Sequence, residues 1–551
     1  MRRIAVCLAF STWCFLNCWG QLAQGGSVYY ARFHPWETVA RPVLYWELAI
    51  TAGMLAVWRL LHGKTALHRM FLALSVVPIG IAAVAAANVA PARLVPLLTS
   101  RFLWPALGLL FLPLVVWAVL RPLPASRLLQ SLFLYSWPVL AVTYVNAARA
   151  SLLPNRVVDY ADGPLAVPLG APPAGVRVIW IVFDEWSQAI TFGNRPAGLD
   201  LPNFDRLRAE SFYATAAEPP GGFTRISIPS LTLGEHAEAT PMGPNSLMVE
   251  APSHRDPVAW GALPNVFDTA RQLGYNTALA GWFHPYGRLL NRSLARCYWT
   301  AEWLPPGLEE PFRRESLPAA MWRRGRMQVA ALPLLGRLFG RLASGDSRQG
   351  ELERFSYLRD RAFEIVVDPS MGLAFIHLPV PHPPAVYDRS LKQMTTDPTR
   401  GYLDGLALAD VTLGALRQKM EDAGLWNSAA VLVSSDHSLR PSIWRDQHIW
   451  NSDDETVSRV NTSAVPFMLK LPGQSRRGVT YDKSFDTDIS RSLATAILAG
   501  DLREPGEIAP FIEKRQSGLP ARTFRGESAQ EPRDALGRAF KQIPRRMAQR
   551  Q

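Results

Sequence analysis

The pattern of hydrophobic and polar positions changes character near residue 150. Before it, five apolar segments, at about 4–23, 43–61, 70–91, 102–120 and 128–147, each approach the roughly 20 residues needed to cross a hydrocarbon core. Residues 151–175 (SLLPNRVVDYADGPLAVPLGAPPAG) are rich in Pro, Gly and Ala without any period, which predicts a linker, semi-stiff where the prolines cluster. VRVIWIVFDE at 176–185 is almost continuously β-branched or large and apolar, as a strand buried on both faces requires. Further strands are predicted at NTALAGW, at 372–384, at 428–438 and at 465–472, with helices at 201–212, from 264, at about 350–367 and at 402–424. Helices alternating with such strands predict an α/β domain with a doubly wound sheet. Residues 301–350 mix Pro, Arg and apolar stretches, and read either as an amphipathic insertion on lipid headgroups or as a helical cap. The expected organisation is a transmembrane region at 1–150, the linker, a soluble domain at 176–514 and a basic polar tail at 515–551.

Charge refines the membrane half. With the N-terminus inside, the inner loops and span ends hold Arg2, Arg3, Arg59, Lys64, Arg69, Arg121 and Arg127, and the outer ones hold Arg32, Arg41, Arg93, Arg101 and Arg149. With this orientation, five spans put everything after about 150 on the outer side. The first segment also has the outline of a signal peptide, but it is long, carries Trp13 and Trp19 and lacks a clean cleavage site. We therefore expect a multi-pass protein of the cell (inner) membrane, with its soluble domain on the outer, periplasmic side. A net charge of +12 beside apolar spans fits anionic headgroups. No zinc-finger spacing, basic recognition helix or RNA-binding aromatic motif occurs, so no nucleic-acid partner is expected. Cys7, Cys14 and Cys18 lie in the first apolar segment, and Cys297 stands alone in the soluble half, where neither a disulfide framework nor a Cys-based metal site can be built.

Candidate chemistry gathers at predicted strand ends, where open α/β sheets bind ligands. Asp184 and Glu185 end the first strand, and Asp436 and His437 end the one at 428–438. Either pair could simply solvate a turn. Together they offer carboxylate and imidazole ligands for a divalent ion such as Mn²⁺ or Zn²⁺. Thr224 follows EPPGGF at a predicted helix start, and is either an N-cap or a nucleophile placed where a helix N-terminus favours an anion. A hydroxyl against such an ion loses its proton more readily. Trp282 and His284, at or just past the end of NTALAGW, are packing residues or substrate contacts. His377 lies inside its strand and reads as structural, whereas His382, flanked by prolines beyond the strand, is the better functional candidate.

The order FDE, PNF-x-RL, TRISIPSLxxG, PHPP and SSDHS resembles the sulfatase-like branch of the alkaline phosphatase superfamily. Several spans followed by an external domain look like lipoteichoic acid synthases and lipid A phosphoethanolamine transferases. The resemblance covers roughly 176–500 and the membrane topology. It implies an alkaline-phosphatase-like domain and one divalent ion (Mn²⁺, Zn²⁺, Mg²⁺ or Ca²⁺) held by Asp184 or Glu185, Thr224, Asp436 and His437. It implies further that Thr224 is the nucleophile, forming a phospho-threonine, and that His382 contacts substrate or protonates the leaving group. Arg225, Trp282 and His284 are the candidate substrate contacts. The sulfatase C/S-x-P-x-R motif is absent, since Arg225 directly follows Thr224. The single Cys297 also departs from the disulfide-bearing phosphoethanolamine transferases, and no signature of a second metal site is evident around His448.

The expected function is a membrane-anchored, metal-dependent phosphotransferase or phosphodiesterase acting on a lipid- or glycan-linked phospho-alcohol group. Two alternatives stand beside it: a sulfatase-like sulfate or phosphate monoester hydrolase, and a catalytically silent membrane scaffold.

Overall fold

Strand β1, Arg177–Asp184, is the middle of the molecule's main sheet because all eight of its residues are buried and both of its faces are apolar. Val178, Trp180 and Val182 point into one hydrophobic core, while Ile179, Ile181 and Phe183 point into the other, as the two-residue period of a strand dictates. In this computed structural model the described residues are 2–23, 39–89, 112–152, 162–241, 246–300, 316–445, 449–474 and 478–516, apart from 114, 171–172, 174–175 and 331–332. They fall into two units, one drawn from the N-terminal region to 159 with 310–346, the other mainly from 160–309 and from 347 onward.

The second unit carries the sheet. Its remaining strands are β2 Phe212–Glu218, β3 Asn276–Trp282, β4 Arg296–Thr300, β5 Met371–Pro381, β6 Ala429–Ser435, β7 Val465–Lys470, β8 Val479–Tyr481 and β9 Phe485–Asp486. Their order is β8-β2-β7-β6-β1-β5-β3-β4, with β9 beside β2. The run β6-β1-β5-β3-β4 is parallel, and β7 is antiparallel to both β6 and β2. The sheet is therefore mixed, with the parallel half that the alternating pattern predicts. Apolar side chains of the helix Tyr402–Asp422, among them Leu406, Leu413 and Leu416, fill the core on one face. Burying a side chain of this kind contributes about 1.5–3 kcal/mol. Strand β2 (FYATAAE) escaped the sequence reading because small alanines blur its alternation, and so did a separate antiparallel sheet of Glu238–Pro241, Leu247–Ala251 and His254–Ala259.

Residues 162–169, expected as linker, are docked on this unit: Ala166 N–H reaches Leu294 O at 2.9 Å and Leu169 N–H reaches Asn276 Oδ1 at 2.7 Å. The tail at 517–551, most of the proposed linker before 162 and His448 lie outside the described residues.

The first unit is helical. Two of its helices, Arg41–Leu60 and Thr65–Ala82, are long and apolar enough to cross a membrane, and the bent pair Pro122–Tyr135 with Trp137–Arg149 makes a third if it acts as one span. That is two or three among the described residues rather than five. The segment at 4–23 breaks at Phe15 into Arg2–Cys14 and Leu16–Ala23, each too short alone, and all of 102–111 lies outside the described residues. Glu47, buried within Arg41–Leu60, accepts from Trp19 Nε1 at 2.7 Å and from Tyr144 OH at 2.6 Å. An acid in so apolar a helix persists because both oxygens have donors. Within the 301–350 stretch, the helix Leu317–Ala330 packs on Arg41–Leu60, where Trp46 Nε1 donates to Met321 O at 2.6 Å. It thus belongs with the apolar helices.

One buried contact ties the predicted PNF helix to the rest of the second unit. Asp410, on Tyr402–Asp422, accepts from the Phe204 backbone N–H at 2.7 Å and from Asn203 Nδ2 at 2.9 Å, at the N-terminus of the helix Pro202–Glu210. Phe204 in turn stacks on Trp186 at 4.3 Å between ring centroids, just past the end of β1. Replacing Asp410 by Ala strands the Phe204 N–H, and a loss of about 1–3 kcal/mol in chemical denaturation is the expected outcome.

Candidate active site

The parallel strands β6, β1 and β5 lie side by side and end together, which brings three segments distant in sequence to one edge. Asp184 is the last residue of β1, and Asp436 and His437 follow β6 directly. Both strand ends are locked to each other. Ser435 Oγ accepts from Trp186 N–H at 2.9 Å and lies 2.6 Å from Phe183 O, and Asp436 Oδ1 accepts from His437 N–H at 2.8 Å and Glu185 N–H at 3.3 Å. Tyr402 adds a second lock: its hydroxyl accepts from Ser187 N–H at 3.0 Å and donates to Glu185 O at 2.7 Å.

Thr224 reaches this edge from the far side. The loop before it turns tightly enough that a side chain on Gly221 would sit 2.6 Å from Ile226. The helix Thr224–Leu233 starts there, its preceding residue Phe223 in extended conformation, and ends at Gly234 in the left-handed region at φ 75°. The Thr224 hydroxyl caps nothing. Its Oγ1 lies 2.7 Å from Asp436 Oδ2, 3.2 Å from Asp184 Oδ2 and 3.3 Å from His437 Nε2.

His377, read from sequence as structural, also faces this cluster. Its Nε2 lies 3.8 Å from Asp184 Oδ2 and 3.9 Å from Asp436 Oδ2, while Nδ1 is 3.1 Å from Tyr286 OH. With Nδ1–H donating to that oxygen, Nε2 turns a lone pair toward the acids. His437 is oriented alike, with Nδ1 against Ser438 O at 3.0 Å and Nε2 at 3.4 Å from both carboxylates. Ligand atoms of Asp184, His377 and Asp436 all fall within 4.8 Å of one another, the spread of a metal-binding group. Asp184 Oδ1 and His377 Nε2 are buried without a hydrogen-bond partner. Buried polar atoms left open in this way fit a cation, and the mixed carboxylate and imidazole donors suit a divalent one.

Electrostatics agree with that fit. Burial pushes the Asp184 carboxyl well above the usual carboxylate range, with the charges of Asp436 and Glu185 adding to it. Burial likewise raises Asp436, whose hydrogen bonds from Thr224 and the backbone pull the other way. Burial also drives His377, His382 and His437 well below the ordinary imidazole value, so all three stand neutral. Neutral imidazoles are what a metal requires.

The other expected residues lie around this centre in different ways. Glu185 turns away from it. It takes up a left-handed backbone conformation at φ 60°, which reverses the side chain, and its carboxylate meets Arg440 Nε and, at 2.8 Å, Trp444 Nε1. His382 is packed edge-on between Trp282 and Trp444, at 4.8 and 4.9 Å between centroids. Trp282 is fully buried, and His284, also buried, has its Nε2 3.4 Å from the Thr224 carbonyl. Arg225 follows Thr224, its Nε buried without a partner.

No protein-family model and no curated protein matches the chain. Among solved structures it is similar to a protein in the alkaline phosphatase superfamily from Vibrio parahaemolyticus, at 12% identity over 60% of this chain and 68% of that one, with a TM-score of 0.36. It is similar to the lipoteichoic acid synthase LtaP from Listeria monocytogenes (12%, 60% and 75%, TM-score 0.35). It also resembles the phosphonate monoester hydrolase SpPMH from Silicibacter pomeroyi (12%, 63% and 78%, TM-score 0.39). At such low scores the chemistry has to be read from the cluster itself.

Titration with Mn²⁺ or Zn²⁺ is expected to raise the melting temperature of the protein, and Asp184→Ala, Asp436→Ala and His377→Ala to reduce or abolish that shift. Because both carboxyls hold protons more tightly than free acids do, a divalent ion must displace proton from them. Affinity therefore falls as pH is lowered, and calorimetry in buffers of different ionisation enthalpy will register proton release on binding.

Proposed function

We propose that the protein is a membrane-anchored, metal-dependent phosphotransferase or phosphodiesterase with Thr224 as its nucleophile. The observation that carries this reading is the Thr224 hydroxyl at 2.7 Å from Asp436 Oδ2, beside buried donor atoms of Asp184 and His377 that have no partner. Asp184, Asp436, His437, His377 and the Thr224 oxygen would hold one divalent ion. When bound, that ion acidifies the hydroxyl and offsets charge on a phosphoryl oxygen.

The residues divide the remaining work. Asp436 is hydrogen-bonded to the Thr224 hydroxyl and is placed to take its proton. Threonine oxygen then bonds to phosphorus as the bond to the leaving alcohol breaks, the alcohol takes a proton from water, and His382, neutral, is the proposed contact to the substrate. An acceptor alcohol or water attacks the phospho-threonine in the second half, releasing Thr224. First backbone N–H groups of the helix Thr224–Leu233 favour the anion at that position. Arg225 and His284 support the site as neighbours of Thr224, and Trp282 does so by packing against His377 and His382.

The substrate we propose is a lipid- or glycan-linked phospho-alcohol, because two or three apolar helices precede the domain and would keep it at a bilayer. In this reading the protein is multi-pass in the cell membrane, and an odd number of spans from an inner N-terminus would put the enzyme domain on the outer side. Thr224→Ala is expected to lower phosphodiester turnover by at least about 10³-fold while the melting temperature of the metal-free protein persists. Mass spectrometry of the wild-type protein after brief substrate exposure should find phosphate on the Thr224 peptide. Undiminished activity in Thr224→Ala would end this reading, and a strong preference for sulfate esters over phosphodiesters would favour the monoester hydrolase instead.

A further inference from the structure

Glu185 sits among the site residues, yet its carboxylate faces away from the cluster. One oxygen takes the Nε–H of Arg440 and the other the Nε1–H of Trp444. Glu185 is fully buried, whereas the Arg440 side chain is 20% exposed, so the pair is seated from the acid side and open from the guanidinium side. An acid usually grips a guanidinium with two parallel bonds. Here Trp444 occupies the second oxygen and only Nε is engaged. Nη1 and Nη2 therefore keep their N–H donors, with no hydrogen-bond partner among the described residues.

The orientation of those donors is fixed as well. The Arg440 guanidinium lies over the Phe223 ring at 5.1 Å from its centroid, and Phe223 immediately precedes Thr224. Its positive charge acts on Asp184, Asp436, His437 and His382, which puts it within electrostatic reach of these four groups. A planar fork with open nitrogens, aimed from a buried anchor and lying against the nucleophile's neighbour, is suited to a phosphoryl group with two free oxygens.

We infer that Arg440 is an anion-binding residue of this site: held by Glu185 through Nε and by Phe223 across its face, it offers Nη1 and Nη2 to two non-bridging oxygens of the phosphoryl group presented to Thr224. Glu185 is then a positioning residue that aims Arg440, not a metal ligand. This rests on the reading of Thr224 as nucleophile, and it deepens that reading by naming the group that would hold the phosphoryl oxygens.

The test uses the full-length protein in detergent, with bis(p-nitrophenyl) phosphate as diester probe, inorganic phosphate for calorimetric binding, and metal analysis. Arg440→Ala should lower kcat/KM by about 10²–10³-fold, the usual loss on removing a preorganised donor to a developing anion. It should weaken phosphate binding about tenfold or more with metal content unchanged. Added guanidinium ion should restore part of the activity, and Arg440→Lys should recover less than the native residue because an ammonium offers no fork. Glu185→Gln should follow Arg440→Ala in direction and retain its metal. If Arg440→Ala fails to fold, Arg440→Lys against wild type carries the same comparison.

Changes below about threefold in both kcat/KM and phosphate affinity for Arg440→Ala would overturn the inference. So would loss of bound metal in Glu185→Gln, which would return Glu185 to the ligand set. Turnover and binding separate this inference from the reading beneath it. A wild-type protein that hydrolyses no ester but binds phosphate through Arg440 sinks the proposed function and leaves the anion site standing. One that turns over diesters regardless of Arg440 does the reverse, and one that does neither removes both.

Discussion

Two buried carboxylates brought against one hydroxyl are the constraint around which this domain is arranged. Asp184 and Asp436 cannot both carry charge in a dry site without help: unit charges within 4.8 Å repel by about 3.5 kcal/mol or more even at an effective dielectric near 20. The fold accepts that cost because the parallel strands β1 and β6 pair from Arg177 with Ala429 through Phe183 with Ser435, and so must end side by side. Nothing at the edge lets the two acids part. Either a shared proton or a cation relieves them, and the open atoms of Asp184 and His377 point to the second.

What the sheet imposes, the surrounding hydrogen bonds make rigid. Ser435 and Tyr402 hold the turn after β1 from two sides, and the stacking of Phe204 on Trp186 carries that hold back to Asp410 in the covering helix. The left-handed backbone at Glu185 belongs to the same design. A residue other than glycine stays in that region only when its surroundings over-determine it, and such positions collect at functional sites. The consequence is a division of labour between adjacent acids, with Asp184 facing the cluster and Glu185 facing Arg440.

Much of this was legible in the chain. The apolar run of β1 announced a doubly covered central strand, and the acids closing two such runs marked the edge where the site assembles. Thr224 was legible as a choice between cap and nucleophile, and only three dimensions show that its hydroxyl caps nothing and lies against Asp436 and Asp184. His377 was illegible because a histidine inside an apolar strand looks the same whether it packs or faces a cavity. Its partner Tyr286 is far away in sequence. Glu185 was misread for a different reason: one backbone torsion decides which of two neighbouring acids faces the site, and no residue pattern encodes it. Arg440 gave no signal either, since its anchor lies some 255 positions earlier. In the N-terminal region, hydropathy marked apolar stretches well but did not reveal that the first breaks at Phe15.

The Tyr402 hydroxyl, bonded to both Glu185 and Ser187, has one more implication. A ring of donor atoms whose supporting turn is pinned from the opposite face has little freedom to expand or contract around its guest. Selectivity among divalent ions would then come from radius and preferred geometry, as a gauge accepts only parts of one bore, and less from the softness of the donors. An ion too large for the gap would have to distort a tyrosine buried in the core before it could be coordinated.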